Sequence, residues 1–309
     1  MFTLAQKLVD VKLISRVYEY TGLGTVSGAP MVRPALLLCS LLVAATAGAQ
    51  NPTPIRDNSF LVEEAYNQPL GVVQHISAFA RAERGGAWLY TFTQEWPVRG
   101  QRHHLSYTVP VARTDQATGS KPGVGDVALN YRYQVGRMDS VPIAFAPRVS
   151  VLVPVGSSER GQGAGAPGIQ FNLPFSAELP ASLVTHSNVG GTYTPHARGS
   201  LGIRATTMDY SVGQSVIWLA HPKLNLMVEA VWNRSEEVVG SGRTAASSET
   251  LISPGFRGAI DLPSGLQIVP GLAFPFGVGS SRGMRSVFVY LSFEHPFSRQ
   301  GDADEKAKP

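Results

Sequence analysis

About twelve segments of this chain place apolar and polar residues at alternate positions, and the connections between them take turns at being short and long. Side chains at i and i+2 of a β-strand share a face, so such a chain builds a wall with one apolar and one polar surface. Residues 125–135 carry the pattern most cleanly: Val127, Leu129, Tyr131, Tyr133 and Val135 oppose Asp126, Asn130, Arg132 and Gln134. No helical period reproduces that order.

The alternating segments are 71–82, 87–97, 103–111, 125–135, 141–154, 169–176, 183–194, 207–220, 223–233, 250–260, 266–276 and 286–297. Five joints (98–102, 136–140, 178–182, 221–222 and 261–265) are short, as periplasmic turns are. The joints between them, 83–86, 112–122, 155–166, 195–206, 234–248 and 277–285, are mostly long and rich in Gly, Ser and charge. A soluble β-sandwich also alternates, but nothing in it requires long and short loops to take turns. The expected fold is all-β, a transmembrane antiparallel up-and-down barrel of about twelve strands, with ten or fourteen as the even-numbered alternatives.

Export signals agree with that location. At a mean hydropathy of +0.01 the chain has no room for a bundle of spanning helices, each needing about 20 apolar residues. Met31, Val32 and Arg33 open a signal peptide, residues 34–46 form its apolar run, and Ala47-Gly48-Ala49 its cleavage site, so the mature protein is expected to begin at Gln50. Residues 1–30 read as a mis-assigned upstream extension, with an amphipathic helix on Leu4, Leu8, Val11 and Leu13 as the rival. The single cysteine, Cys39, leaves with the signal. Residues 1–49 hold four basic and two acidic residues of the chain's 26 and 22, which leaves 22 and 20 and a net of +2. That balance argues against nucleic acid as a partner. The last strand alternates Val287, Val289, Leu291 and Phe293 and ends at Phe297, a pattern resembling the C-terminal signal read by the barrel-insertion machinery, with a polar tail, 298–309, behind it. Outer-membrane lipids are the other expected partner.

A charge facing acyl chains costs a few kcal/mol, so alternation assigns Glu95, Asp126, Asn130, Arg132, Arg148, Glu229 and Arg257 to the lumen. They form either a selectivity lining or an ion-pair network that fills the barrel. Both signs occur, so neither a cation nor an anion preference follows. His186-Ser187-Asn188 resembles the His-x-Ser-Asn-Gly element of outer membrane phospholipase A, but adjacent residues of a strand face opposite ways. His186 therefore cannot take a proton from Ser187. His103 and His104 point apart for the same reason, and His75, His196, His221 and His295 stand alone, so no metal site is expected. The glycines of 161–165 lack the strand-to-helix setting of a phosphate loop and read as a mobile surface loop. No cofactor motif occurs.

Residues 50–70 precede the first strand. A short helix there would set Phe60, Leu61, Ala65 and Tyr66 against Glu63 and Glu64, placed to plug or cap the periplasmic mouth or to pack beneath it. In order along the chain, DNSFLVEEAYNQPLGVVQHI, FTQEWPV, HHLSYTVPV, GVGDVALNYRYQV and APRVSVLVPVG resemble the outer-membrane family of MetA-pathway phenol-degradation transporters. The resemblance spans most of residues 58–297. It implies an exported barrel admitting aromatic or poorly soluble compounds, with no binding residues to carry over. The expected function is passive uptake of small molecules. The alternatives are a closed barrel serving as a structural or adhesion module that displays its loops, and an outer-membrane lipid-modifying enzyme.

Overall fold

A computed structural model describes residues 59–98, 100–114, 121–135, 142–199 and 202–297. The expected upstream extension, signal peptide and polar tail lie outside them. Twelve antiparallel strands close into a barrel. Their order is β1 (Val72–Ala82), β2 (Trp88–Val98), β3 (His103–Arg113), β4 (Gly123–Val124 and Val127–Tyr133) and β5 (Ile143–Phe145 and Arg148–Val153). Next come β6 (Gly168–Leu179), β7 (Leu183–Arg198), β8 (Arg204–His221), β9 (Leu224–Gly240), β10 (Arg243–Gly258, extended by Ile260–Asp261), β11 (Gln267–Ala273 and Phe276–Gly277) and β12 (Ser286–Pro296). Each strand pairs with its sequence neighbour, and β1 closes the ring on β12 in a ladder from Val72 opposite Pro296 to Ala82 opposite Ser286. A closed ladder leaves no edge, which is the condition for β-structure in a bilayer.

The wall is inside out relative to a soluble protein. Leu129, Val149, Val151, Ile169 and Val189 are each about half exposed on the outer face, while Gln74, Glu95, Asn172, Ser176 and Glu229 are fully buried inside. Chain breaks fall where the ladder cannot run straight. Pro147 and Pro275 supply no N–H; beside them Tyr133 N–H donates to the Pro147 carbonyl (3.0 Å) and Ser286 N–H to the Pro275 carbonyl (2.9 Å), so pairing resumes. In β4 the break is at Gly125, whose N–H donates to the Pro110 carbonyl at 2.8 Å and where a Cβ would lie 2.8 Å from Pro110 Cγ.

The eleven-residue strands β1 to β3 rise about 28 Å at a tilt near 40°, roughly the height of the apolar band. Strands β7 to β10 have 16, 18, 17 and 16 residues and overshoot that band by about 10–20 Å. The excess lies at their outer ends, forming a raised wall on one side of the mouth. Residues 234–248, expected to be a loop, are the top of a β9–β10 hairpin whose ladder runs from Arg234 opposite Ser248 up to Gly240 opposite Arg243. Above the membrane both faces of a hairpin meet water, so the alternation that marks a spanning strand is lost.

Two further expectations need correction. Residues 59–68 form no helix; they are irregular, with bends at 60–62 and 65, and their N–H groups are taken by side chains of the barrel wall. The 161–165 glycines are not on an open surface loop, since Gly161 and Gln162 are buried. The connection folds into the mouth, where Gln162 N–H donates to the Ser157 carbonyl (2.9 Å) and Arg198 N–H to the Ala164 carbonyl (2.8 Å).

Candidate functional site: the occupied lumen

The lumen is divided by chemistry. From β8 round to β1 the inner wall carries, beside buried polar groups such as Glu229 and Arg257, an apolar cluster of Ile76, Ala78, Ile217, Met227, Val231, Leu251, Val269, Phe288 and Tyr290, which gathers around Phe60, Leu61 and Val62. From β2 to β7 it is polar, with Glu95, His104, Asn130, Arg132, Arg148, Asn172 and His186 all buried. Residues 59–68 run round the inside of this wall and match it, apolar residues against the apolar side and polar ones against the polar side.

Phe60 is the apolar anchor. Its ring lies 5.5 Å from that of Phe288 and 5.3 Å from that of Tyr290, in tilted contacts. Two glycines open a slot for it: a Cβ at Gly255 would stand 2.9 Å from Phe60 Cε2, and one at Gly271 2.6 Å from Phe60 Cε1. The backbone beyond it is held by acceptors on inward side chains. Glu229 Oε1 accepts from Leu61 N–H (2.6 Å) and Val62 N–H (2.9 Å), Asn188 Oδ1 from Glu63 N–H (2.6 Å), Ser176 Oγ from Ala65 N–H (2.8 Å) and Gln134 Oε1 from Asn67 N–H (2.9 Å). The Ser59 hydroxyl lies 2.6 Å from that of Ser215. Near the short-turn end the Asn67 amide donates to the carbonyls of Gln101 (2.8 Å) and Arg102 (2.9 Å), and Gln68 donates to Gln74. This set satisfies buried N–H groups that would otherwise each cost about 1–3 kcal/mol.

The charges converge on Glu63. Its Oε1 is 3.2 Å from Arg132 Nη1, and its Oε2 is 3.1 Å from Arg148 Nε and accepts from Asn172 Nδ2 at 2.6 Å. Arg132 also donates to Asn67 Oδ1 (2.7 Å) and to the Tyr66 carbonyl (2.7 Å). Arg148 donates to Asn130 Oδ1 (3.1 Å), to Gln170 Oε1 (3.2 Å) and to Ser150.

All seven residues that alternation assigns to the lumen are buried inside the barrel, but they do not form one site. Arg132 and Arg148 meet at Glu63, with Asn130 bonded to Arg148, and Glu229 binds the backbone beside Phe60. Glu95 pairs with His104, Oε2 to Nε2 at 3.2 Å. With the Asn225 amide turned so that its side-chain oxygen faces Arg257, that oxygen accepts from Arg257 Nε and Nη2 at 3.2 and 3.3 Å. Asp126 belongs elsewhere: its carboxylate accepts from Gly156 N–H (3.0 Å) and Ala164 N–H (2.7 Å), pinning the 155–166 connection into the outer mouth.

Sequence reasoning missed Phe60 with its glycine slot, the convergence on Glu63, and Asn172, Ser176 and Asn188 as its companions. The available signal was Gly255 and Gly271 at inward positions of otherwise regular strands. It also set His75 and His295 apart. They are neighbours on β1 and β12, stacked at 5.2 Å with Nε2 atoms 3.1 Å apart, on the outward face next to Phe92. His186 and Ser187 do face opposite ways: His186 is buried, 2.7 Å from the Ser176 hydroxyl through Nδ1, and Ser187 donates outside to Gln214.

No family model and no curated protein sequence matches the chain. Among solved structures, an outer membrane channel from Pseudomonas putida F1 is similar over 75% of this chain and 97% of its own, at 12% identity and a TM-score of 0.56. The NanC porin is similar over 71% of this chain and 98% of its own, at 8% identity and a TM-score of 0.49. The fold shared with the Pseudomonas channel is the outer-membrane β-barrel. The bacterial outer membrane is where a closed wall of this kind, apolar outside and polar inside, resides.

Proposed function

We propose that the protein is a gated outer-membrane channel for passive entry of small molecules, shut in this conformation by residues 59–68. One observation carries the reading. The barrel ladder is complete without the segment, since β1 pairs with β2 on one side and β12 on the other, so withdrawing residues 59–68 breaks no hydrogen bond of the wall. What holds the segment is one aromatic anchor, the Glu63 ion pairs with Arg132 and Arg148, and a set of side-chain hydrogen bonds. What its departure uncovers is a polar surface facing an apolar one, suited to a solute that has both characters. The resemblance to phenol-degradation transporters supports small aromatic solutes.

The test is planar-bilayer conductance of the refolded protein beside a version lacking residues 50–69, both first checked for heat-modifiable gel mobility. Openings that are rare in the full chain and frequent in the shortened one support a plug-gated channel. Silence in both sinks the reading and favours a closed barrel that displays its outer structures, for which the raised β7–β10 wall is the supporting observation.

A further inference from the structure

Arg132 and Arg148 occupy directly paired positions on β4 and β5, and Arg148 is paired in turn with Asn172 on β6. Like charges facing each other across a ladder are destabilising, and these two are also inside the barrel with 1% and 4% exposure. An anion between them offsets that repulsion. The anion present belongs to the segment: Glu63 gives one oxygen to Arg132 and the other to Arg148 and Asn172. Donors divided between two oxygens in this way fit a carboxylate better than a spherical anion.

We infer that Arg132, Arg148 and Asn172 form a carboxylate-binding station, filled by Glu63 when the channel is shut and by the carboxylate of an aromatic solute when the segment withdraws. This rests on the gated-channel reading and gives it a substrate class. Two features favour reuse of the station. Arg148 keeps Asn130, Ser150 and Gln170 of the wall as partners, so its guanidinium stays oriented after Glu63 leaves. Beside the station the Tyr66 ring stands edge-on to His186 at 5.8 Å, which marks the adjoining space as one that accepts an aromatic ring. An anionic aromatic solute thus competes with the plug for the same donors, and binding of the one favours release of the other.

The experiment uses the full chain carrying Glu63→Gln, which removes the charge shared by the two arginines, leaves Glu64 beside Arg132 and keeps the segment. Binding of benzoate and of benzyl alcohol, a neutral molecule of similar shape, is measured by calorimetry on refolded protein with native heat-modifiable mobility. Charged hydrogen bonds of this kind predict benzoate binding at least about tenfold tighter than benzyl alcohol in E63Q, and tighter than benzoate in the unsubstituted protein. Adding Arg148→Gln should abolish the preference. If that double variant does not fold, Asn172→Ala in E63Q replaces it, with benzoate weakened and benzyl alcohol unchanged. Equal affinity for the two probes in E63Q, or a preference that survives R148Q or N172A, overturns the station. Conductance of the same variants separates the two ideas: openings indifferent to benzoate overturn the station and leave the channel, whereas selective benzoate binding without openings supports the station and removes the channel.

Discussion

At the residue scale the segment depends on Phe60 and the two glycines that receive it. Replacing Gly271 by Ala places a methyl group where the Phe60 ring lies, and over-packing of that kind costs about 1–3 kcal/mol unless the ring leaves. Residues 50–309 contain no cysteine, so in protein refolded from Gln50 onward Ser59→Cys provides a unique thiol at the buried start of the segment. Its maleimide labelling should accelerate at least about fivefold on G271A, and on F60A as well. In the double variant the two effects should not add, because F60A removes the ring with which the new methyl collides. Additive acceleration would mean that the glycine acts on the wall and not on Phe60. These contacts mark the limit of what the chain discloses by itself. Alternation alone sends Arg132, Arg148 and Glu229 inward, since it is a local rule. That Glu63 would meet Arg132, 69 residues away, and Asn172, 109 away, depends on the closure of the ring, which no local pattern encodes.

At the scale of elements, the outer mouth combines a pinned connection with a raised hairpin. Asp126 holds residues 155–166 by accepting two N–H groups, and the close approach of Gly156 and Gly163 leaves room for nothing larger there. Asp126→Ala forfeits both bonds and should make the exposed Arg160 a trypsin site on intact cells, while heat-modifiable mobility of the barrel stays the same. Resistance equal to that of the unsubstituted protein would show that the connection is held by its own turns. The β9–β10 hairpin carries a separate expectation. A short epitope inserted at residues 241–242, the turn above Gly240 and Arg243, should be accessible to antibody on whole cells. An epitope reached only after permeabilisation would reverse the assignment of the two ends. Both elements read as loops in the sequence for physical reasons. Gly-rich stretches suit close packing as well as motion, and a hairpin above the membrane has two wet faces and hence no alternation.

On the scale of the whole molecule the structure has two tiers. The wall is a continuous ladder whose hydrogen bonds lie in a medium that offers no replacement, whereas the segment is joined to β1 through a short link and held by side chains. Local opening of the segment therefore costs only its own contacts, and unfolding of the wall costs the ring. Hydrogen exchange distinguishes these costs directly. The amides of Leu61, Val62, Glu63, Ala65 and Asn67, each bonded to a wall side chain, should exchange faster than the amides of β8 and β9, by way of an opening that leaves the wall protected. Phe60→Ala, at about 3–5 kcal/mol for loss of a buried aromatic ring, should raise segment exchange by a factor on the order of a hundred or more and leave the wall amides where they were. Should segment and wall exchange together in both proteins, the segment would be part of a single cooperative core, and a barrel that opens only by unfolding cannot conduct. A separation between the two tiers is what a gate requires, since the segment must leave and return many times while the ring around it stays closed.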